Sequence, residues 1–498
     1  MKNYLNNPYK ILRYIALLGP FWFLLALFYI FFSRSAYPFE LEFMEGGTLI
    51  HLLRLQEGLP LYVAPSLEYA PFIYPPFFYY VAFGISQITG LDFFLPLRLT
   101  SILATTGCLF LIAGMVYKQT RSSYWAVLAA GVFIATFRAG GAWFDLARID
   151  MVYIFLLLAA IAAATSSEHW LAKVAAGLFL GLAFYTKQTA IAYAVIFVGI
   201  LWLIQGWRTA LITGLTFALF AVASFGVENR ISGGWYQYYL FVLPANHALY
   251  SPLWLLMLVQ AFNIIYPLSV SIILSLFGII PTLKRLTGSA ALLLFSAVGL
   301  AALSGASSLN VGAYANNYIP AFAGFALVFG LGASWLETRL LRTRQRTGLF
   351  LLYAACLLQF ALLYYNVNQQ IPTVEDRQAG EQLVATIREI DGDIFTPYNL
   401  SLSLLAGKPA YAHLVTLLEI EGHFGDVRDS QWQTIEAEFE ESLRQKRFSA
   451  IILNHEYELW QNVSRSYTPT ILEYTSDKAF IPVTGTPTRP QSLWRPLP

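Results

Sequence analysis

Residues 71–88 read PFIYPPFFYYVAFGISQI, and whether the apolar part, Phe72–Ile88, crosses a bilayer decides the side on which every later loop falls. The segment enters through Tyr74-Pro75-Pro76 and carries Tyr79 and Tyr80. Working outward, apolar runs near 11–32, 99–117, 124–137, 151–166, 170–186, 190–205, 210–226, 252–280, 289–304, 319–336 and 348–365 read as spans. Several fall short of the ~20 residues that a perpendicular helix needs, so their ends are loose. The run 252–280 contains Pro267 and reads as one kinked span or as an interfacial helix followed by a span. The first run follows Lys2, Lys10 and Arg13, is too long for a signal peptide and has no small-residue cleavage site, so it reads as an uncleaved first span.

Basic residues arbitrate the topology, because cytoplasmic loops carry an excess of Lys and Arg. If Phe72–Ile88 lies along the outer surface, the cytoplasmic loops hold Lys118, Arg121, Lys173, Arg208, Lys284, Arg285 and the cluster Arg339, Arg342, Arg344 and Arg346. If it crosses, that last cluster falls outside. The non-crossing reading is preferred; the same parity arises if this segment crosses and a short run such as 124–137 does not. Three regions then share the external side: the first loop (33–98), the turn around Asp145–Asp150, and everything after 365.

Composition agrees with a bilayer. Of 498 residues, 57% are hydrophobic and 12% charged, against roughly 25% charged in soluble chains. Net charge is +2, and no basic patch points to nucleic acid. Cys108 and Cys356 both lie in apolar runs, which argues against a disulfide framework or a thiol metal site. From about 366 charges become frequent. Helical stretches (378–390, 432–446) alternate there with strand-like runs (Asp393–Thr396, Ala450–Leu453). The expected architecture is a polytopic α-helical membrane domain over 1–365, with about eleven transmembrane helices, and a soluble extracytoplasmic α/β domain over 366–498.

The first loop carries the densest chemistry. Glu40, Glu42 and Glu45 fall within six residues, followed by Gly46-Gly47 and His51. Near an apolar surface such carboxylates raise each other's pKa and can hold a proton or a cation; the plain alternative is a solvated acidic loop. Arg148 and Asp150 cap the run 151–166, as an interfacial anchor or as part of a site. Lys187, with Gln188 beside it, sits between two short apolar runs, where a lysine must reach water, a carboxylate or a phosphate, or else snorkel. Asn316-Asn317-Tyr318 offers amides and a ring suited to sugar hydroxyls, or is an ordinary polar turn. His247 is a lone histidine with no partner in the sequence.

Taken in order, these motifs resemble the GT-C class of membrane glycosyltransferases, the superfamily of protein O-mannosyltransferases and aminoarabinose transferases. The resemblance runs through Glu42, Glu45-Gly46, Gly58-Leu59-Pro60-Leu61-Tyr62, Tyr74-Pro75-Pro76, Leu97-Arg98-Leu99, Ala147-Arg148-Ile149-Asp150, Thr186-Lys187-Gln188 and Asn317-Tyr318. It is closest to bacterial members with a C-terminal extracytoplasmic domain. It implies a hexosyl- or pentosyltransferase of the cell envelope, working at the outer face of the cytoplasmic membrane. The donor would be a polyprenyl-phosphate-linked sugar and the acceptor a lipid, a glycan or a protein.

In such enzymes an acidic residue of the first loop acts as base or metal ligand. Glu42 and Glu45 match that position, with Mg²⁺ or Mn²⁺ as the candidate ion. The family more often places Asp at one of these positions, which leaves open which carboxylate is catalytic. A second acidic residue matches Asp150. Arg148 and Lys187 match the phosphate-binding residues, with Gln188, Asn317, Tyr318 and Tyr74 as further substrate-binding candidates. Two other classes stand beside this reading. A transporter or flippase for a lipid-linked glycan would show pseudo-repeats and mid-membrane charges. A non-catalytic scaffold would need only its C-terminal domain.

Overall fold

The computed structural model describes residues 8–281, 288–425, 427–454, 460–476 and 478–498. Lys284 and Arg285 lie outside the described residues. Each expected span has a helical counterpart. The helices are α1 (Pro8–Ile15), α2 (Leu18–Ser35), α3 (Glu45–Gln56), α4 (Phe77–Thr89), α5 (Phe94–Thr120), α6 (Ser123–Ala135), α7 (Asp150–Ser166), α8 (Trp170–Phe184), α9 (Ala190–Gln205) and α10 (Trp207–Ile231). After a single turn, α11 (Trp235–Gln237), come α12 (Leu253–Ile265), α13 (Ser269–Ile279), α14 (Gly288–Ser307), α15 (Ile319–Arg342) and α16 (Arg346–Leu362). Among the described residues, six helical stretches are by themselves long and apolar enough to cross a membrane, and α6 to α9 are shorter apolar helices. The run 252–280 is one kinked stretch, with α12 and α13 joined by a tight turn at Tyr266–Leu268 that contains Pro267.

Packing follows membrane rules, where small residues let helices approach closely. A β-carbon added at Gly278 on α13 would strike the backbone of Gly332 on α15, and one at Gly332 would strike Ser275. The middle of the bundle is α15, most of whose apolar stretch is buried. The outward faces of α2, α10 and α12 expose Phe28, Phe32, Leu219, Val222 and Leu258, as lipid contact requires.

The arbitrating segment forms α4, and it does not carry the chain across the bundle. Just before α4, the Ile73 carbonyl accepts from Gln188. Just after it, near the start of α5, Arg98 binds Glu45, which also binds the backbone of Ala147. Both ends of α4 therefore lie at the same end of the bundle. The basic residues mark the other end. Lys118, at the far end of the 27-residue α5, donates to the carbonyls of Thr165 and Ser166 at the far end of α7. Lys173 donates to Ala164 and Gln205 beside it. Arg339 and Arg342 close α15, whose other end meets Asn317.

The C-terminal region has α17 (Val374–Arg388), β1 (Asp393–Phe395), α18 (Leu400–Leu405), α19 (Leu414–Glu421), α20 (Trp432–Arg444), β2 (Phe448–Leu453), β3 (Tyr467–Ile471) and β4 (Ser492–Pro496). The sheet order is β1-β2-β4-β3. Strands β1 and β2 are parallel, which needs a crossover, and α18 to α20 supply it; the other pairs are antiparallel. The first loop is wedged between this region and the bundle. Phe39 packs on Gly380, and Glu40 accepts from the backbone and hydroxyl of Ser401.

Candidate functional site

The loop between α2 and α3 and the turn between α6 and α7 are knitted together by two buried arginines. Arg98 spends all five guanidinium N–H groups. Its Nε and Nη2 reach Glu45 at 3.1 and 2.7 Å, and its remaining donors meet the carbonyls of Arg34, Tyr37 and Phe39. Glu45 is equally filled, because the N–H groups of Leu41 and Ala147 donate to it at 2.7 and 2.6 Å. Arg34 binds Asp145 at 2.6 Å and the Ala142 carbonyl at 3.2 Å. All four of these side chains are at most 1% exposed. Arg98 and Glu45 have their hydrogen bonds met and fix the backbone around them, whereas Arg34 Nε and Nη2 and Asp145 Oδ2 bind no described residue.

That framework holds Glu42 and Arg148 at the edge of a cleft enclosing about 1380 Å³ of empty space, open solvent included. Glu42 Oε2 accepts from Arg148 Nη1 at 2.9 Å and from the Met44 N–H at 3.0 Å. Its Oε1 accepts no hydrogen bond from a described residue. Burial pushes the Glu42 carboxyl above the usual carboxylate range, and Arg148 opposes this only in part. The Arg148 guanidinium lies 5.3 Å from the Trp143 ring and 6.0 Å from that of Tyr74, which also lines the cleft.

A second pair lines the same region. Lys187, in the break between α8 and α9, donates to Asp150 Oδ1 at 2.9 Å and lies 3.5 Å from Asn317 Oδ1. Asp150 is also held by Asn316 at 3.1 Å and by the Trp143 indole at 2.9 Å. Lys187, Gln188, Asn316 and Asn317 line the same cleft as Glu42, and Asp150 lines its inner pocket. The buried Gln188 Oε1 accepts from no described residue.

The structure thus brings together Glu42, Asp150, Arg148, Lys187, Gln188, Asn317 and Tyr74. Glu45 does not line the cleft; it holds Arg98 and the loops. Tyr318 turns toward α12, where its hydroxyl donates to Gln260 and accepts from Asn263. Sequence reasoning missed Trp143, Asn316 as the partner of Asp150, and a wall supplied by Glu419 and Phe424. No sequence signal ties α19 to a loop more than 370 positions earlier. A strap from the C-terminal region closes on Glu42. Thr484 donates to the Gly141 carbonyl at 2.5 Å, and a β-carbon at Gly485 would lie 3.0 Å from Glu42 Cγ.

The expected metal ligands do not assemble a metal site. Glu45 is saturated by four N–H donors, and Glu42 shares its oxygen with a positive guanidinium. Among the described residues no three His, Cys, Asp or Glu side chains gather. The described residues therefore form no all-protein cage for a divalent cation, and of the two expected ligands only Glu42 keeps an oxygen with which to meet one beside substrate phosphates.

No protein-family model matches the chain, and no curated protein sequence matches it. Solved structures do, and they define the fold as that of the GT-C membrane glycosyltransferases. ArnT from Cupriavidus metallidurans in the apo state aligns with a TM-score of 0.60 at 12% identity, covering 95% of this chain and 97% of that one. ArnT bound to undecaprenyl phosphate aligns at 0.58 and 13% identity, covering 95% and 98%. The oligosaccharyltransferase of Archaeoglobus fulgidus, tethered to an acceptor peptide containing the NVT sequon, aligns at 0.54 and 12% identity, covering 90% and 69%.

Proposed function

We propose that this chain is a glycosyltransferase that moves a sugar from a polyprenyl-phosphate-linked donor to a hydroxyl of a lipid, glycan or protein acceptor. The observation that carries this reading is one cleft holding a buried carboxylate with a free oxygen, Glu42, and two cations, Arg148 and Lys187. The shared fold with ArnT, solved with undecaprenyl phosphate, supports a lipid-phosphate donor.

In the reaction, Glu42 Oε1 takes the proton of the acceptor hydroxyl as its oxygen forms a bond to the anomeric carbon of the donor sugar. The bond from that carbon to the phosphate oxygen breaks, and the electron pair leaves with the polyprenyl phosphate. Lys187 and Arg148 stabilise the charge gained by the phosphate. Asp150 aims Lys187, with Asn316 and Trp143 holding Asp150 in turn. Gln188 and Asn317 offer hydrogen bonds to the donor head. Zinc and sulfate are bound in a structure of the Archaeoglobus fulgidus oligosaccharyltransferase; the step derived from these residues needs no metal.

Sidedness rests on charge. Lys118, Lys173, Arg339 and Arg342 gather away from the cleft, at the end that the positive-inside rule gives to the cytoplasm. The cleft and residues 366–498 then face outward from the cytoplasmic membrane, beyond a membrane domain that ends near 365. The test is full-length protein in liposomes with undecaprenyl phosphate carrying a radiolabelled hexose or pentose. The expected result is a new glycosidic bond in an acceptor, or sugar release to water. Movement of the donor across the bilayer with no bond made or broken would favour a flippase instead.

A further inference from the structure

One wall of the cleft plays no part in that transfer step. Glu419 projects from α19 on the same face as Val415, one turn earlier, and both line the cleft. Glu419 is only 9% exposed. Its Oε2 lies 3.5 Å from His247 Nε2, close enough for an ion pair, yet neither atom makes a hydrogen bond with a described residue. The ring of Phe424 lies 5.7 Å from the imidazole and also faces the cleft. The wall is firmly built. The Ala248 N–H donates to the Phe424 carbonyl at 2.7 Å, and the Val311 N–H donates to the Ala248 carbonyl at 3.0 Å.

The buried carboxylate and the facing imidazole pair only with each other, at the long end of an ion pair, and neither atom has a second partner among the described residues, so the pair can still take a ligand's hydrogen bonds. An open carboxylate, an imidazole and an aromatic face together match a sugar ring, which offers O–H donors on its edge and C–H groups on its flat side. The wall also comes from the C-terminal region and the 244–250 segment. The cations that serve the lipid phosphate sit instead on the loops and breaks of the helical bundle.

We propose that Glu419, His247 and Phe424 form the subsite that receives a carbohydrate ring of the acceptor. This rests on the glycosyltransferase reading for the word acceptor, but the subsite itself is testable with no donor present. The probe is a panel of methyl hexosides and pentosides, with binding to full-length protein in nanodiscs read by saturation-transfer NMR. Wild-type protein should bind at least one of them. Glu419→Gln should weaken that binding at least tenfold, while Glu381→Gln, on the exposed face of α17, binds within threefold of wild type. Phe424→Leu is the second variant, used if Glu419→Gln does not fold, and should also weaken binding. Adding undecaprenyl phosphate should leave the signal in place.

No glycoside binding by folded wild-type protein, or binding unchanged in both wall variants, overturns the subsite. Displacement by undecaprenyl phosphate overturns its assignment to the acceptor. Glycoside binding without any donor turnover by wild-type protein would instead count against the transferase reading and leave the sugar subsite standing.

Discussion

Glu42 and Glu45 stand three residues apart, and replacing each by glutamine should break the protein in a different way. Glu45 accepts four hydrogen bonds, two from Arg98 and one each from the N–H groups of Leu41 and Ala147. A glutamine there must turn its amide N–H₂ toward one of those donors in either orientation, and it leaves the Arg98 charge uncompensated with no exposure to water. Breaking a buried ion pair costs about 3–5 kcal/mol, a large part of the 5–15 kcal/mol typical of a fold. Glu42→Gln also breaks a buried ion pair, but it keeps an oxygen for the Met44 N–H, and Arg148 lines the cleft and keeps the Asp150 charge nearby, so its loss of stability should be smaller than at position 45. The catalytic cost is separate. Losing a general base slows reaction by about 10²–10⁴-fold, or roughly 3–5 kcal/mol of barrier. Similar free energies should therefore appear as lost stability at position 45 and as lost rate at position 42. The assays are thermal unfolding of detergent-purified protein and turnover of the radiolabelled donor. Glu42→Gln with more than a tenth of wild-type turnover, or Glu45→Gln with an unchanged melting temperature, would refute the assignment.

Further outcomes follow from the same geometry. The base acts ionised, and burial raises its pKa, so turnover should fall on the acid side with a midpoint above the ordinary value of 4.5 for a glutamate; Glu42→Gln should lose that limb from its residual rate. Gly485→Ala should cut turnover with only a small loss of stability. Its β-carbon would press on the Glu42 side chain, and its φ of +80° costs an L-residue about 1–2 kcal/mol. Lys187→Met should raise the KM for donor at least tenfold while acceptor binding holds, because it removes one of the two cations that line the cleft; an unchanged KM would separate Lys187 from the phosphate.

Acid should also loosen the contact between the first loop and the C-terminal region. His413 accepts from the Val415 N–H and donates to the Phe43 carbonyl, while His51 donates to the Gly47 carbonyl and accepts from the Phe72 N–H. Both are thus neutral, and burial lowers His413 to about 3 and His51 to about 4 from 6.5. The unfolded chain binds these protons first, so stability is full above 6.5 and falls as pH drops toward the folded values. The loss is about 2 kcal/mol per histidine by pH 5. Melting temperature against pH should show a shallower acid slope in His413→Gln.

The sequence by itself determined the solvent. Long apolar runs leave no other place for so much hydrocarbon than a bilayer, and the placement of Lys and Arg between them favours one parity of the helices. It also marked most chemical residues of the cleft, because a charged side chain such as Lys187 or Asp150 inside an apolar context is costly enough to stand out without any partner in view. Roles were not legible there. Glu42 and Glu45 look alike along the chain, and only the fold sends Arg98 to one and the cleft to the other. Likewise Tyr318 and Asn317 are neighbours, yet one backbone turn points the first at Gln260 and the second at Lys187. His247 meant nothing until α19 brought Glu419 beside it from 172 positions away. Burial and hydrogen-bond geometry depend on contacts between distant segments, and those exist only once the chain has closed on itself.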